Sequence, residues 1–276
     1  MWIRTLAICI PLCLVAALCV GVFLPNTTTV VDATDLMANI TPYPPKPQED
    51  LSAQNVKATD FAVRLFQANE KNGENVLISP LSVLSALAMT VNGAEGETLR
   101  QMEDVMGMTK DEVNMYLYSY IRRLPQDNKN KLTFANAIWF KDDGNFTVKD
   151  DFLQTNADYH NADIYKAPFN DDTLRDVNNW VNENTDGMIP EILDEITPYS
   201  LMYLVNALCF EAEWASIYYT DRVKDGIFTT EDGDEKEVEL MYGSENTFLE
   251  DDNAKGFIKY YNRAGGTTRC PLLRPV

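Results

Sequence analysis

Residues 75–94 carry the pattern that decides the fold, and they read Asn-Val-Leu-Ile-Ser-Pro-Leu-Ser-Val-Leu-Ser-Ala-Leu-Ala-Met-Thr-Val-Asn-Gly-Ala. The first four form a short β-like run. Ser79 and Pro80 end that run with a helix-capping side chain and a residue suited to a first helical turn. Over residues 81–91 the apolar side chains cover most of a helix circumference, which is typical of a helix in a protein interior. A domain built around a buried helix is therefore predicted.

Helical periodicity dominates the first half of the chain, and strand patterns dominate the second. Apolar spacing predicts helices over residues 60–69, 98–107, 110–124 and 173–185. Dense β-type runs predict strands over 132–140 and 201–210, a hairpin from 226–230 and 236–242, and a further strand starting at 256. The first two strands are apolar on both faces, which indicates central strands covered on both sides. Helices first and strands later favour an α+β fold.

Four stretches in this order resemble the signature of the serpin family of serine protease inhibitors. They are residues 75–94 for helix B, Asn136–Phe140 for strand 2 of sheet A, Val177–Val181 with Thr185, Gly187 and Ile189 for helix F, and Leu204–Ala207 through Trp214 for strand 3 of sheet A. Four ordered motifs are far more specific than one short pattern. The resemblance, to a bacterial-type exported serpin, implies the N-terminal two-thirds of the serpin fold, with helices A–F and part of sheets A, B and C.

The same resemblance implies roles for four side chains. Ser79, Ser82 and Asn206 correspond to the shutter, where polar groups bond one another beneath sheet A at the place where the sheet must part. Trp214 corresponds to the breach, where an inserting loop first enters the sheet. Each residue also has an ordinary interpretation: Ser79 as a helix cap, Asn206 as a satisfied polar group in a strand, and Trp214 as a core residue. The two interpretations are compatible.

The resemblance further implies inhibition by a suicide-substrate mechanism, with serine or cysteine proteases as partners. A protease attacks an exposed loop and becomes acylated by it, and the cleaved loop inserts into sheet A as a new strand. In the family that loop comes late in the chain, whereas the recognisable pattern here stops near Asn262. We therefore expect this polypeptide to be truncated before the reactive-centre loop and to be at best a partly folded, non-inhibitory form. A non-inhibitory binding scaffold or a gene remnant is the alternative.

The segment 263–276 is an atypical tail, with three arginines and no acidic residue in an otherwise acidic chain. It has neither strand nor helix periodicity. We favour a frameshift or misassembled gene end as its origin over a genuine short functional variant, and both over an interaction tail. The preceding segment 56–262 is the predicted partial serpin domain.

Composition bounds the remaining function classes. The 276 residues are 45% hydrophobic and 24% charged, which is typical of a globular domain. The formal net charge of −19 disfavours nucleic-acid binding, because phosphate backbones would be repelled. Outside the N-terminal apolar segment only Cys209 and Cys270 remain, so no disulfide framework is indicated.

The N-terminus has the features of an export signal. Arg4 precedes an apolar run over residues 6–24, so residues 1–33 are predicted to be a signal peptide or a signal anchor. Residues 34–55 are rich in Pro and Thr and are predicted to be a semi-rigid linker, with a plain disordered leader as the alternative. The protein is therefore expected to be secreted to the extracellular space or anchored at the outer face of the membrane, with the apolar run as its only membrane contact.

An enzyme is the main alternative class. His160 is the only histidine, so a hydrolase would have to build its catalytic group around it. No serine lies in a Gly-x-Ser-x-Gly setting, and one histidine with few cysteines cannot make a usual zinc site. We expect His160 to lie at the surface, and we predict no enzyme activity, no metal site and no cofactor.

Overall fold

The computed structural model describes residues 33–71, 74–124, 130–144, 147–197, 199–230, 232–252, 254–263 and 266–275. The predicted signal or anchor segment therefore lies, except for Ala33, outside the described residues. Within the described ranges, no helix is both long enough and apolar enough to cross a membrane.

The described residues form six α-helices and nine strands in a mixed arrangement. The helices are α1 (Ser52–Asn69), α2 (Pro80–Val91), α3 (Gly96–Met106), α4 (Lys110–Ile121), α5 (Asp150–His160) and α6 (Asp171–Asn184). The strands are β1 (Thr34–Asp35), β2 (Asn130–Lys141), β3 (Asp163–Ala167), β4 (Met202–Ala212), β5 (Val223–Thr229), β6 (Glu235–Met241), β7 (Phe248–Glu250), β8 (Ala254–Arg263) and β9 (Gly266–Pro275). The α+β class is therefore confirmed.

Helix α2 begins as its sequence predicts. The Ser79 hydroxyl accepts a bond from the Ser82 backbone N–H, and Pro80 occupies the first turn. Leu84, Met89 and the core-facing residues between them are buried. The β-like run before the helix is not a strand, because residues 75–78 pair with no strand in the described part of the chain.

The main sheet has four strands in the order β1-β3-β2-β4. Strands β2 and β3 are parallel and are connected through α5, whereas β2 and β4 are antiparallel over eleven residue pairs, with Asn136 opposite Asn206. One core cluster joins this sheet to α6 through Trp139 and Trp180, and two more lie among the helices and behind Ile138. Strands β5 and β6 form a two-stranded sheet, and β7, β8 and β9 form a three-stranded one.

The structure corrects the expectation that residues 34–55 form a spacer. Strand β1 pairs with β3, and the Leu36 backbone N–H donates to Ile164 O at 2.9 Å. The Tyr43 N–H bonds the Asp158 carboxylate, and Leu51 is buried. Residues 33–51 are therefore a strap that packs along β3, α5 and α4, and residues 52–55 already belong to α1. The proline-rich composition gave no sign of these partners.

The tail also differs from the expectation. Residues 266–275 form β9, which pairs antiparallel with β8 along its whole length from Gly266 to Pro275. Backbone pairing needs no alternation of apolar and polar side chains, which explains why no strand periodicity was visible here.

Candidate functional site

Asn136 lies at the centre of a buried polar cluster beneath the four-stranded sheet. Its side-chain oxygen accepts bonds from Asn206 Nδ2 at 2.8 Å and from Ser85 Oγ at 3.1 Å. Its Nδ2 donates to the His160 carbonyl oxygen at 3.0 Å. Asn206 Nδ2 also donates to Ala135 O at 3.2 Å. One amide on β2 thereby connects α2, the end of α5 and β4.

The cluster continues away from the sheet through further side chains. His160 Nε2 lies 2.7 Å from Asn114 Oδ1, and Asn114 Nδ2 donates to Asn92 Oδ1 at 2.7 Å. Asn92 Nδ2 in turn donates to Asn156 Oδ1 at 3.1 Å. Because Asn114 presents its oxygen to the ring, His160 carries its proton on Nε2. The polar network therefore runs through α2, α4, α5, β2 and β4.

The prediction that His160 lies at the surface is wrong. The residue is only 6% exposed, and burial lowers the pKa of His160 to about 4, so the imidazole is neutral at pH 7. Its Nε2 bonds an amide, and among the described residues no hydroxyl or thiol bonds the ring. This geometry offers no nucleophile for His160 to activate.

The predicted shutter residues lie in two adjoining places. Ser79 and Ser82 bond each other through their hydroxyls at 2.8 Å at the start of α2. The resemblance implies that these two serines and Asn206 bond one another. Among the hydrogen bonds of the described residues, however, none joins either serine to Asn206. Ser85 makes the link to the sheet instead, through Asn136. Sequence reasoning missed Ser85 and Asn136 as site residues. Two signals could have found them: the serines of α2 recur at helical i, i+3 spacing, and Asn136 interrupts an apolar strand.

Strand β4 presents an open edge at this cluster. It pairs with β2 on one side, and within the described ranges no strand pairs with its other side. The Asn206 Oδ1 atom is buried and has no hydrogen-bond partner among those residues. An open strand edge accepts a further strand through its backbone groups, and a buried acceptor beside it favours an occupant that brings a donor.

Trp214 follows the end of β4 by two residues. It forms a backbone bridge with Tyr261 of β8, and the two rings stack with centroids 4.2 Å apart at 11°. Phe210 meets the same tyrosine edge-on at 5.2 Å. The tryptophan therefore lies where the chain leaves the four-stranded sheet and joins the sheet of β7, β8 and β9.

Comparison with known proteins identifies the family. The family model described as "Serpin (serine protease inhibitor)" matches residues 56–260. The chain belongs to the serpin family. A leukocyte elastase inhibitor of Xenopus tropicalis is 32% identical over 202 residues, which cover 68% of this chain and 52% of the relative. An uncharacterized serpin-like protein of Methanosarcina mazei is 27% identical and covers 86% of this chain and 56% of the relative.

Solved structures agree on the fold. The thermophilic serpin tengpin in its native state matches with a TM-score of 0.81 and 43% identity, over 88% of this chain and 63% of that chain. The serpin fold, with part of its three sheets, is therefore confirmed. The chain spans about half the length of the curated relatives it matches. At the family level these proteins are inhibitors of proteases rather than hydrolases, which agrees with the prediction that the chain is not an enzyme.

Proposed function

We propose that this protein is a serine-type endopeptidase inhibitor that acts as a suicide substrate, with a cleaved loop inserting as a new strand beside β4. The observation that carries the proposal is the open edge of β4, where the buried Asn206 Oδ1 has no partner among the described residues. An inserted strand would complete the backbone ladder of β4 and place a donor within reach of this oxygen.

The polar network supports a sheet that can open. Apolar side chains would bind β4 to the helices without directional bonds, whereas Asn206 is attached to β2 and α2 through two hydrogen bonds at Asn136. Because these bonds lie on the β2 side of β4, a new strand can pair with the other edge without breaking them, and it can supply the donor that Asn206 Oδ1 lacks among the described residues. Ser79 and Ser82 act at the start of the same helix, and Trp214 marks the end of β4 at which insertion begins.

In the family, the reactive-centre loop belongs to the part of the relatives' length that this chain does not span. The same is true of the second wall of the insertion site, which is the strand that pairs with the other edge of the inserted loop. The 276-residue chain by itself is therefore expected to accept an added strand but to trap no protease. The probe for strand addition, called the strand peptide below, is a peptide of alternating threonine and alanine with the same length as the 11-residue β4.

The proposal includes proteases as partners and export from the cell. Residues 6–24 would act as the signal or as an anchor at the outer face of the membrane, and the acidic composition suits solubility outside the cell.

The test is a trapping assay on a chimera. Residues 33–262 are joined to the remaining C-terminal part of tengpin, the solved serpin that is 43% identical. We expect a complex with a serine protease that survives boiling in detergent, and we expect the 276-residue chain alone to form none. Asn206→Ala in the chimera should lower the trapped fraction in favour of cleaved, released inhibitor. Asn69→Ala, which removes an exposed amide on α1, should leave it unchanged.

Complete cleavage of the chimera without a stable complex would contradict the proposal and favour a non-inhibitory binding scaffold. A stable complex formed by the 276-residue chain alone would contradict the requirement for a second wall.

A further inference from the structure

Lys259 in β8 is the only buried lysine or arginine among the described side chains, and the residue is 2% exposed. A buried ammonium group is strongly unfavourable unless it is paired and hydrogen-bonded. Its partners therefore show what the charge holds in place.

Two oxygen atoms accept hydrogen bonds from the Lys259 ammonium. Glu245 Oε1 lies 2.7 Å from Nζ, and the Ser216 carbonyl oxygen lies 3.3 Å from it. Burial lowers the pKa of Lys259, but the favourable interactions with Glu245 and Tyr218 more than offset this effect and leave the pKa above its ordinary value. The lysine is therefore charged at neutral pH.

Two aromatic rings cover the same ammonium group. The Nζ atom lies 4.3 Å from the ring centroid of Tyr218 and 5.2 Å from that of Trp214. Both distances are within the range of cation–π attraction. Tyr261, which stacks on the Trp214 indole, is two residues along β8 from Lys259 and so projects from the same face of the strand.

The contacts of Lys259 extend an attachment that the backbone begins. Asn262 N–H donates to Glu213 O, and Ala215 N–H donates to Tyr260 O, each at 2.7 Å. Beyond Ala215 the segment leaves β8, and the Lys259 side chain holds its next part through Ser216 and the rings. Glu245, in the connection between β6 and β7, completes the clamp.

Resting on the proposed function, we infer that Lys259 is a positioning residue for Trp214. Its buried charge fixes the indole at the end of β4 and thereby limits how readily a new strand enters beside β4. Replacing a buried ion pair with apolar residues of similar volume is often neutral or stabilising, so stability alone does not account for a buried lysine here. The ring contacts supply the reason for keeping it.

The test uses fluorine NMR of the whole chain labelled with 5-fluorotryptophan, with Trp214→Phe identifying the Trp214 signal. The main variant is Lys259→Met combined with Glu245→Gln, which removes both charges together. We expect the Trp214 signal to shift and broaden, while those of the buried Trp139 and Trp180 stay in place. Lys259→Arg, which keeps a cation beside the rings, should leave the Trp214 signal closer to that of the wild type than the main variant does.

The matched control is an ion pair on the same strand. Lys255 of β8 bonds Glu250 of β7 at 2.6 Å, but the two side chains are partly exposed, and among the described residues no ring contact joins the pair to a tryptophan. Lys255→Met combined with Glu250→Gln should leave the Trp214 signal unchanged. If the main variant does not fold, the measurement is made on Glu245→Gln alone. An unchanged Trp214 signal in the variant that is measured overturns the inference.

The functional half of the inference is tested with the strand peptide. We expect the main variant to bind it several-fold faster than the wild type, and the control pair to bind it at the wild-type rate. Equal rates in the main variant and the wild type overturn the limiting role. If no protein binds the peptide, the limiting role fails together with the proposed function, while a shifted Trp214 signal still supports the positioning role by itself.

Discussion

The region from Leu51 to Cys209 and the region from Glu213 to Asn262 are stabilised in different ways. Every buried apolar side chain among the described residues lies in the first region, where three core clusters form. Among the described residues of the second region Lys259 is the only buried one, and large apolar side chains such as Phe228 are exposed. The first region therefore carries its own core, whereas the second is held by backbone ladders, aromatic contacts around Tyr261 and a single buried charge.

The largest expected effect is a core truncation in the first region. Trp180 is fully buried, and its Nε1 donates to Asp163 Oδ2 at 2.8 Å. Trp180→Ala should lower the free energy of unfolding by about 4 kcal/mol, because it leaves a cavity in the core and removes the hydrogen bond to Asp163. Urea unfolding measures this loss. Phe228→Ala in the second region should change it by less than about 0.5 kcal/mol. Equal losses would remove the distinction between the two regions.

A smaller effect is expected from acid. His160 has an ordinary pKa of 6.5, and burial lowers it to about 4 in the folded protein. Between these values the unfolded chain binds more protons than the folded chain, so the free energy of unfolding falls as the pH is lowered from 6.5 to 4. The shift in the pKa of His160 corresponds to a change of about 3 kcal/mol in the free energy of unfolding.

The measurement is urea unfolding from pH 7 to pH 4 on wild type and on His160→Gln, whose amide can still donate to Asn114. Carboxylates titrate equally in both proteins, so the difference isolates the histidine. Parallel pH profiles would show that His160 is not a neutral buried group.

Only part of the fold could be predicted from the sequence. The burial of residues 81–91 and the strands around Asn136 and Asn206 were predicted, because apolar runs and helical spacing are local signals. The burial of His160 was not, because it depends on Asn114 and on the strap, which are distant in sequence. The short strands β1 and β3 and helix α5 were missed because their stability comes from pairing and packing rather than from periodicity.

The site was predicted to a similar extent. The family resemblance indicated Asn206, and the structure places it beside the open edge of β4. Its direct partners, Asn136 and Ser85, were missed, because hydrogen-bond partners are set by strand register and by the rotation of α2 rather than by sequence order. No side chain on β8 was singled out, since a lysine in a strand ordinarily indicates an exposed position.

A still smaller effect tests whether the strap belongs to the first region. Arg123 donates to the carbonyl oxygens of Gln48 and Glu49. Arg123→Met should lower the free energy of unfolding by about 1 kcal/mol and speed hydrogen exchange in the strap, because the end of the strap loses its anchor.

Arg100→Met is the comparison, since Arg100 makes only exposed ion pairs with Glu97 and Asp104. Its effect on unfolding should stay within about 0.5 kcal/mol, with strap exchange unchanged. Faster strap exchange in Arg100→Met than in Arg123→Met would mean that the strap is not held at this point.

The most direct test of the central claim is hydrogen–deuterium exchange of the 276-residue chain with and without the strand peptide. We predict slower exchange across the 11 residues of β4 when the peptide is present, with a smaller effect in Asn206→Ala. Unchanged exchange in β4, or protection confined to β5 and β6, would contradict the claim that β4 is the strand-accepting wall of this serpin.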